Sequence, residues 1–198
     1  DIKRMFAYSS ASHLSFISAG IFSLNSYGIN GALYLIIAHA IATGALFLLV
    51  GLMHEQTGFK TIKDLGGIAK KAPIFTFIFA VMLFANVGLP GTNGFVSELL
   101  IIFGIYEFNH ALGYVSALTV IIGASYMLWM FQRAILQDRP EGSDELTMRD
   151  LKVKEVLGLA PWVILVFLMG FYPEVFMNKF EPTVTHYLND ILQIGATK

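Results

Sequence analysis

Residues 74–108 read IFTFIFAVMLFANVGLPGTNGFVSELLIIFGIYEF, and how this stretch is read decides the fold. It is long and apolar enough to cross a bilayer, which takes ~20 apolar residues of helix. Gly88, Leu89, Pro90, Gly91, Thr92, Asn93 and Gly94 interrupt it midway. Pro90 has no N–H to give and clashes with the preceding turn, and glycines flank it on both sides. Backbone groups freed by such a break cannot face lipid, so 88–94 must be buried in protein or line a cavity. Transporters use discontinuous helices of this kind at ion sites near the midplane. A plain proline kink is the simpler alternative, but a stretch that also holds Thr92 and Asn93 is longer than a kink needs.

The surroundings of this stretch are equally apolar. No Asp, Glu, Lys or Arg occurs in 5–54, 72–97 or 108–132. Charged residues make up 14% of the chain, against ~25% in soluble domains, which points to lipid. Five hydrophobic units follow: 5–24, 32–53, the interrupted 74–108, 112–131 and 156–172. Asn25, Gly28, Asn30 and Gly31 mark the first reversal, since Asn and Gly supply the positive φ of tight turns. The expected fold is all-α integral membrane, with five transmembrane helices, the third discontinuous around Gly88 to Gly94. Residues 1–172 would form the membrane domain and 173–198 an amphipathic tail. If the units alternate, only Lys179 and Lys198 of the 13 basic residues fall on the second side. Loops rich in Lys and Arg stay in the cytoplasm, which places the N-terminal end inside and the tail outside. Asp1-Ile2-Lys3-Arg4 does not read as a signal peptide, and the chain is expected to be a piece of a longer one, opening on a loop.

Three ionisable residues fall inside the spans: His13 on the first, His39 on the second and Glu98 on the third. At ~1.5 Å of rise per residue, each histidine lies about 12 Å from one end of its helix, and Glu98 about 15 Å from the outer end of its half-helix. In a core ~30 Å thick these depths coincide near the midplane. A carboxylate there costs at least ~2.5 kcal/mol and should face a protein interior or a water-filled cavity. A histidine can accept a proton on one ring nitrogen and donate from the other. Ser9 and Thr43 lie four residues from His13 and His39, so each histidine has a hydroxyl on its own helix face. The structural alternatives are a Glu paired with a neighbouring chain for assembly, and histidines that only pack helices. His54, His110 and His186 read as interfacial.

Several motifs are similar to those of a known family. Asp1-Ile2-Lys3-Arg4 leading into Ala7-Tyr8-Ser9-Ser10-Ala11-Ser12-His13 resembles the opening of the antiporter-like subunits of respiratory complex I. Ile37-Ala38-His39 followed by Leu46-Phe47 resembles their second histidine motif, and 88–98 their broken-helix signature. The likeness covers roughly residues 1–135. Related subunits and cation/proton antiporters generally carry lysine where this chain has Glu98; glutamate points to the subunit M, or chain 4, branch. Ser97 stands where a glycine is frequent, and Asn93 where a small residue is. The resemblance implies a fourteen-helix protein in two inverted halves, of which this chain holds the last five. It also implies that His13 and His39 belong to a central hydrophilic axis and that Glu98 is the terminal proton carrier toward the outside.

The expected activity is proton translocation as part of NADH:quinone oxidoreductase, in a bacterial inner membrane. The resemblance implies partners among the other membrane subunits, neighbouring antiporter-like ones above all, and no cofactor in this subunit. Half a proton path is not a pump, so the isolated chain is expected to be inactive. The equivalent subunit of a membrane-bound hydrogenase or of a multisubunit cation/proton antiporter is the nearest alternative. A b-type haem protein with His13 and His39 as axial ligands is another, though Glu98 and the break have no role in it. The chain has no cysteine, which excludes disulfides, thiolate metal sites and iron–sulfur clusters. A net charge of −1 gives no reason to expect nucleic acid.

Overall fold

The computed structural model describes residues 1–139 and 147–196, and all regular structure among them is helical. Asp1 caps α1 (Ile2–Phe22) by accepting a hydrogen bond from the Arg4 N–H, so the described chain opens on a helix rather than a loop. Asn25 caps α2 (Ser26–Thr57) in the same way through the Gly28 N–H, and Gly58 ends α2 at φ 73°. A loop and the single turn α3 (Ile68–Lys71) lead to α4 (Pro73–Asn86). Proline suits the first position of α4, where its missing N–H would have had no partner anyway. After the break, α5 (Asn93–Phe108) turns directly at Asn109 into α6 (His110–Phe131), which widens into a π turn at Gln132–Leu136. Helix α7 (Val153–Phe171), the short α8 (Glu174–Met177) and α9 (Glu181–Ala196) complete the described chain. The expected tail is therefore helical, although Lys198 lies outside the described residues.

Among the described residues, three helices are long and apolar enough to cross a membrane: Ser26–Thr57, His110–Leu136 and Val153–Phe171. Helices α4 and α5 rise only about 21 and 24 Å, each short of a ~30 Å core.

The expected first reversal is corrected. The first reversal is made by 23–25, with Leu24 at φ 51°, and Gly28 and Gly31 belong to α2 instead. Their role is contact rather than turning. A Cβ on Gly28 would run into the Gly20 carbonyl oxygen of α1, one on Gly31 would meet α5 at the Ile101 nitrogen, and one on Gly104 of α5 would strike the Gly28 backbone. Small residues at these crossings let α1, α2 and α5 touch backbone to backbone, the usual way helices pack closely in lipid. Ile17, Ala32, Leu35, Ile101 and Ile105 close over the contact.

The larger core joins α2, α4, α6 and α7. Leu46, Leu49, Phe75, Phe79 and Met82 are fully buried in it, and Phe79 stacks on Phe131 at 5.9 Å. A loop from far along the chain closes one end of this core. Asp150 accepts from the Ile74 and Phe75 N–H groups at 2.9 Å, capping the start of α4, while the Arg149 N–H donates to Gln56 at 3.0 Å. Burial works against ionising Asp150, but the N–H groups of Ile74, Phe75 and Leu151 outweigh it and hold its carboxyl below the usual range.

Candidate proton-transfer site

The three ionisable residues meet in one place. Helix α2 carries His39 through the middle of the bundle, with α1 against one side of it and α5 against another. The His13 and His39 rings lie 4.7 Å apart, tilted by 37°. The His13 Nδ1 is also 3.6 Å from Oε1 of Glu98. His39, His13 and Glu98 thus form a contact row across α2, α1 and α5. Glu98 is 5% exposed, and among the described residues no lysine or arginine pairs with it.

The break shapes the row. Gly88 takes φ 71°, and its bare Cα lies against the Glu98 carboxyl: a Cβ there would sit 2.5 Å from Oε2. Gly94 lets the first turn of α5 close onto the Ala85 carbonyl, and Gly170 of α7 packs on the Gly91 backbone. Thr92, Asn93 and Gly94 are buried, whereas Leu89 and Pro90 are exposed. Part of the freed backbone is satisfied locally, with the Leu89 N–H donating to Phe84 and the Thr92 N–H to Leu89. At the far side the Asn93 amide reaches the Ala38 carbonyl at 3.5 Å.

Of the two expected hydroxyl partners, one is in place. The Thr43 hydroxyl lies 3.1 Å from Nδ1 and 3.3 Å from Nε2 of His39. Ser9 does not bond His13: its hydroxyl is buried without a protein partner, at the wall of a cavity of about 330 Å³. His13, Glu98, Ser116 and Thr119 also line this cavity, which runs between α1, α5 and α6 as far as Ile105 and Leu112. Ser116, Thr119 and Asn86 are site residues that the sequence reading did not single out, and Gly88 was read only as part of the break. The spacing of Ser116 and Thr119 on one face of α6 was the signal available for two of them. His54 and His110 sit at helix ends, bonded to the Phe59 carbonyl and stacked on Tyr106 respectively, and His186 faces Asp190 within α9.

This arrangement suits proton exchange. Each member can take and release a proton, each touches the next, and the terminal carboxyl faces a cavity with hydroxyls on its wall. A haem between His13 and His39 does not fit, because rings in direct contact leave no slot for a macrocycle.

A family model described as NADH:quinone oxidoreductase/Mrp antiporter, transmembrane, matches residues 1–123. NADH-quinone oxidoreductase subunit M of Rickettsia bellii is 36% identical over 188 residues, which are 95% of this chain and 38% of that protein. A chain of respiratory complex I from Thermus thermophilus superposes with a TM-score of 0.84 at 34% identity, over 93% of this chain and 38% of that one. A chain of the Mrp complex from Dietzia superposes at 0.81 with 17% identity, over 93% of this chain and 42% of that one, a likeness of fold alone. The chain spans well under half the length of these proteins.

Proposed function

The chain belongs to the NADH:quinone oxidoreductase/Mrp antiporter transmembrane family, and from that premise we propose that it carries the outward half of a proton path in a subunit of the M kind. The observation that carries this reading is the contact row: Glu98 at 3.6 Å from His13, and His13 ring to ring with His39. A proton enters at His39, passes to His13 and then to Glu98. From there it leaves by the hydroxyl-lined cavity toward the α5–α6 end. Redox chemistry in other subunits of an NADH:quinone oxidoreductase drives the transfer, and no cofactor is bound here. Glutamate rather than lysine at 98 favours this reading over a multisubunit antiporter.

In the membrane, α1, α2, the α4–α5 pair, α6 and α7 make five crossings, the third discontinuous. The loops around Lys60 and Arg149 lie in the cytoplasm of a bacterial cell, and the tail from 173 lies outside as a separate unit. Neighbouring antiporter-like subunits cover the exposed apolar faces of α6 and α7. Alone, the chain is inactive.

The test is Glu98→Gln in the full-length subunit within its complex. Glutamine keeps the shape but not the exchangeable proton, so pumping per assembled complex collapses and coupled electron transfer slows, while Glu98→Asp keeps part of both. Normal pumping by Glu98→Gln would remove the residue from the mechanism. Loss of assembly first would indicate a structural pair, whose disruption costs ~3–5 kcal/mol.

A further inference from the structure

Two asparagines bracket the break, and both reach α2 close to His39. Asn93 opens α5 and donates to the Ala38 carbonyl; Asn86 closes α4 and donates through Nδ2 to the Thr43 hydroxyl at 2.8 Å. Asn86 is 5% exposed and Thr43 7% exposed, so water does not compete freely for either.

The Thr43 contact is unusual for this chain. Threonine in a helix ordinarily turns its hydroxyl back onto the carbonyl four residues earlier. Thr57 and Thr76 do so, at 2.8 and 2.9 Å. The corresponding carbonyl for Thr43 belongs to His39, yet the Thr43 hydroxyl lies between the Asn86 amide and the His39 ring instead. A hydroxyl has one proton and two lone pairs. The Asn86 N–H occupies a lone pair and holds the oxygen toward the ring, leaving the Thr43 proton to donate to His39. The oxygen is within reach of both ring nitrogens, so it can meet whichever one is bare.

We propose that Asn86 is a positioning residue for proton transfer, which orients the Thr43 hydroxyl as a donor to His39 and thereby ties the proton-accepting face of His39 to the end of α4 at the break. The inference rests on the proton-path reading above. It assigns a role to an amide that carries no exchangeable proton, bonds the Thr43 hydroxyl and also lies within hydrogen-bonding reach of His13. Without Asn86, the Thr43 hydroxyl falls back onto the His39 carbonyl and the ring loses its fixed partner. A conformational change at the break would have the same effect, because Asn86 is the last residue of α4.

The experiment is a mutant cycle in the full-length subunit within its complex: Asn86→Ala, Thr43→Val, both together, and Thr43→Ser, with Glu98→Gln prepared alongside. Each single change lowers pumping per assembled complex about tenfold, what one ordinary hydrogen bond is worth, and displaces its pH profile. The double variant is no worse than Asn86→Ala alone, and Thr43→Ser stays near the parent. Losses that multiply in the double variant, an unchanged pH profile, or a fall in assembly alone would each overturn the proposal. If Glu98→Gln is dead while Asn86→Ala pumps normally, only this inference fails. If Glu98→Gln pumps normally, the proton-path reading has failed and this inference falls with it.

Discussion

Replacing Gly88 by alanine tests whether the break exists to seat the Glu98 carboxyl. The substitution has two separable effects. Gly88 lies at φ 71°, where a side chain costs ~1–2 kcal/mol. The new Cβ would also stand 2.5 Å from Oε2 and 3.2 Å from Cδ of Glu98. The carboxyl is the far end of a flexible side chain, so it yields by moving away from the break and changing its distance to His13. Gly58 provides the control, because it has nearly the same φ, 73°, and open space where its Cβ would go. Gly58→Ala and Gly88→Ala should therefore lose the same ~1–2 kcal/mol in thermal unfolding of the assembled complex. Only Gly88→Ala should lose pumping, by up to ~100-fold, since misplacing a reacting group by about 1 Å can cost that much. Equal pumping by the two variants would show that the position of the carboxyl beside Gly88 does not matter.

Asp150→Asn should destabilise the protein by ~1 kcal/mol through the weakened cap on α4. Because the folded carboxyl is held below its ordinary range, its contribution is fully present above about pH 4 and is lost as pH falls through the lower folded value. Melting temperatures across acid pH should show this loss in the parent and not in Asp150→Asn; matching profiles would exclude the cap as its source. A reporter fused after Gln137 should read as cytoplasmic and one after Lys198 as external, and finding both on one side would overturn the five-crossing reading.

Much of the site could be read from sequence because its members are costly in lipid. A Glu and two histidines within charge-free runs stand out, and helix rise alone places them at one depth. Pro90 with its glycines marks the break by local chemistry. Asn86 gave no such signal, and Gly88 marked the break but not its contact with Glu98. An asparagine at the end of a helix and a glycine in a turn are ordinary until the partner is known, and here the partners are Thr43 on α2 and a carboxyl on α5. Asp150 was missed for the same reason, since it caps a helix that begins far earlier in the chain. The first reversal misled because glycine serves two purposes. Gly28 and Gly31 were assigned to turning when they were needed for close packing, and Leu24 took the positive φ.

The shortness of α4 and α5 bears on how the protein is made. A nascent segment is passed into lipid largely on its own hydrophobicity. On the five-crossing reading, 73–108 is a poor candidate for independent insertion: it is cut in two by the break and carries Glu98 at the bilayer's centre. What makes it acceptable is a receiving surface, the glycine-faced α1–α2 hairpin with the Ala38 carbonyl and Thr43 hydroxyl waiting for the two asparagines. The ribosome delivers that hairpin first. The costly segment can then enter against protein rather than lipid, and the contacts of Glu98 with α1 and the break form as a by-product of biogenesis in the right order.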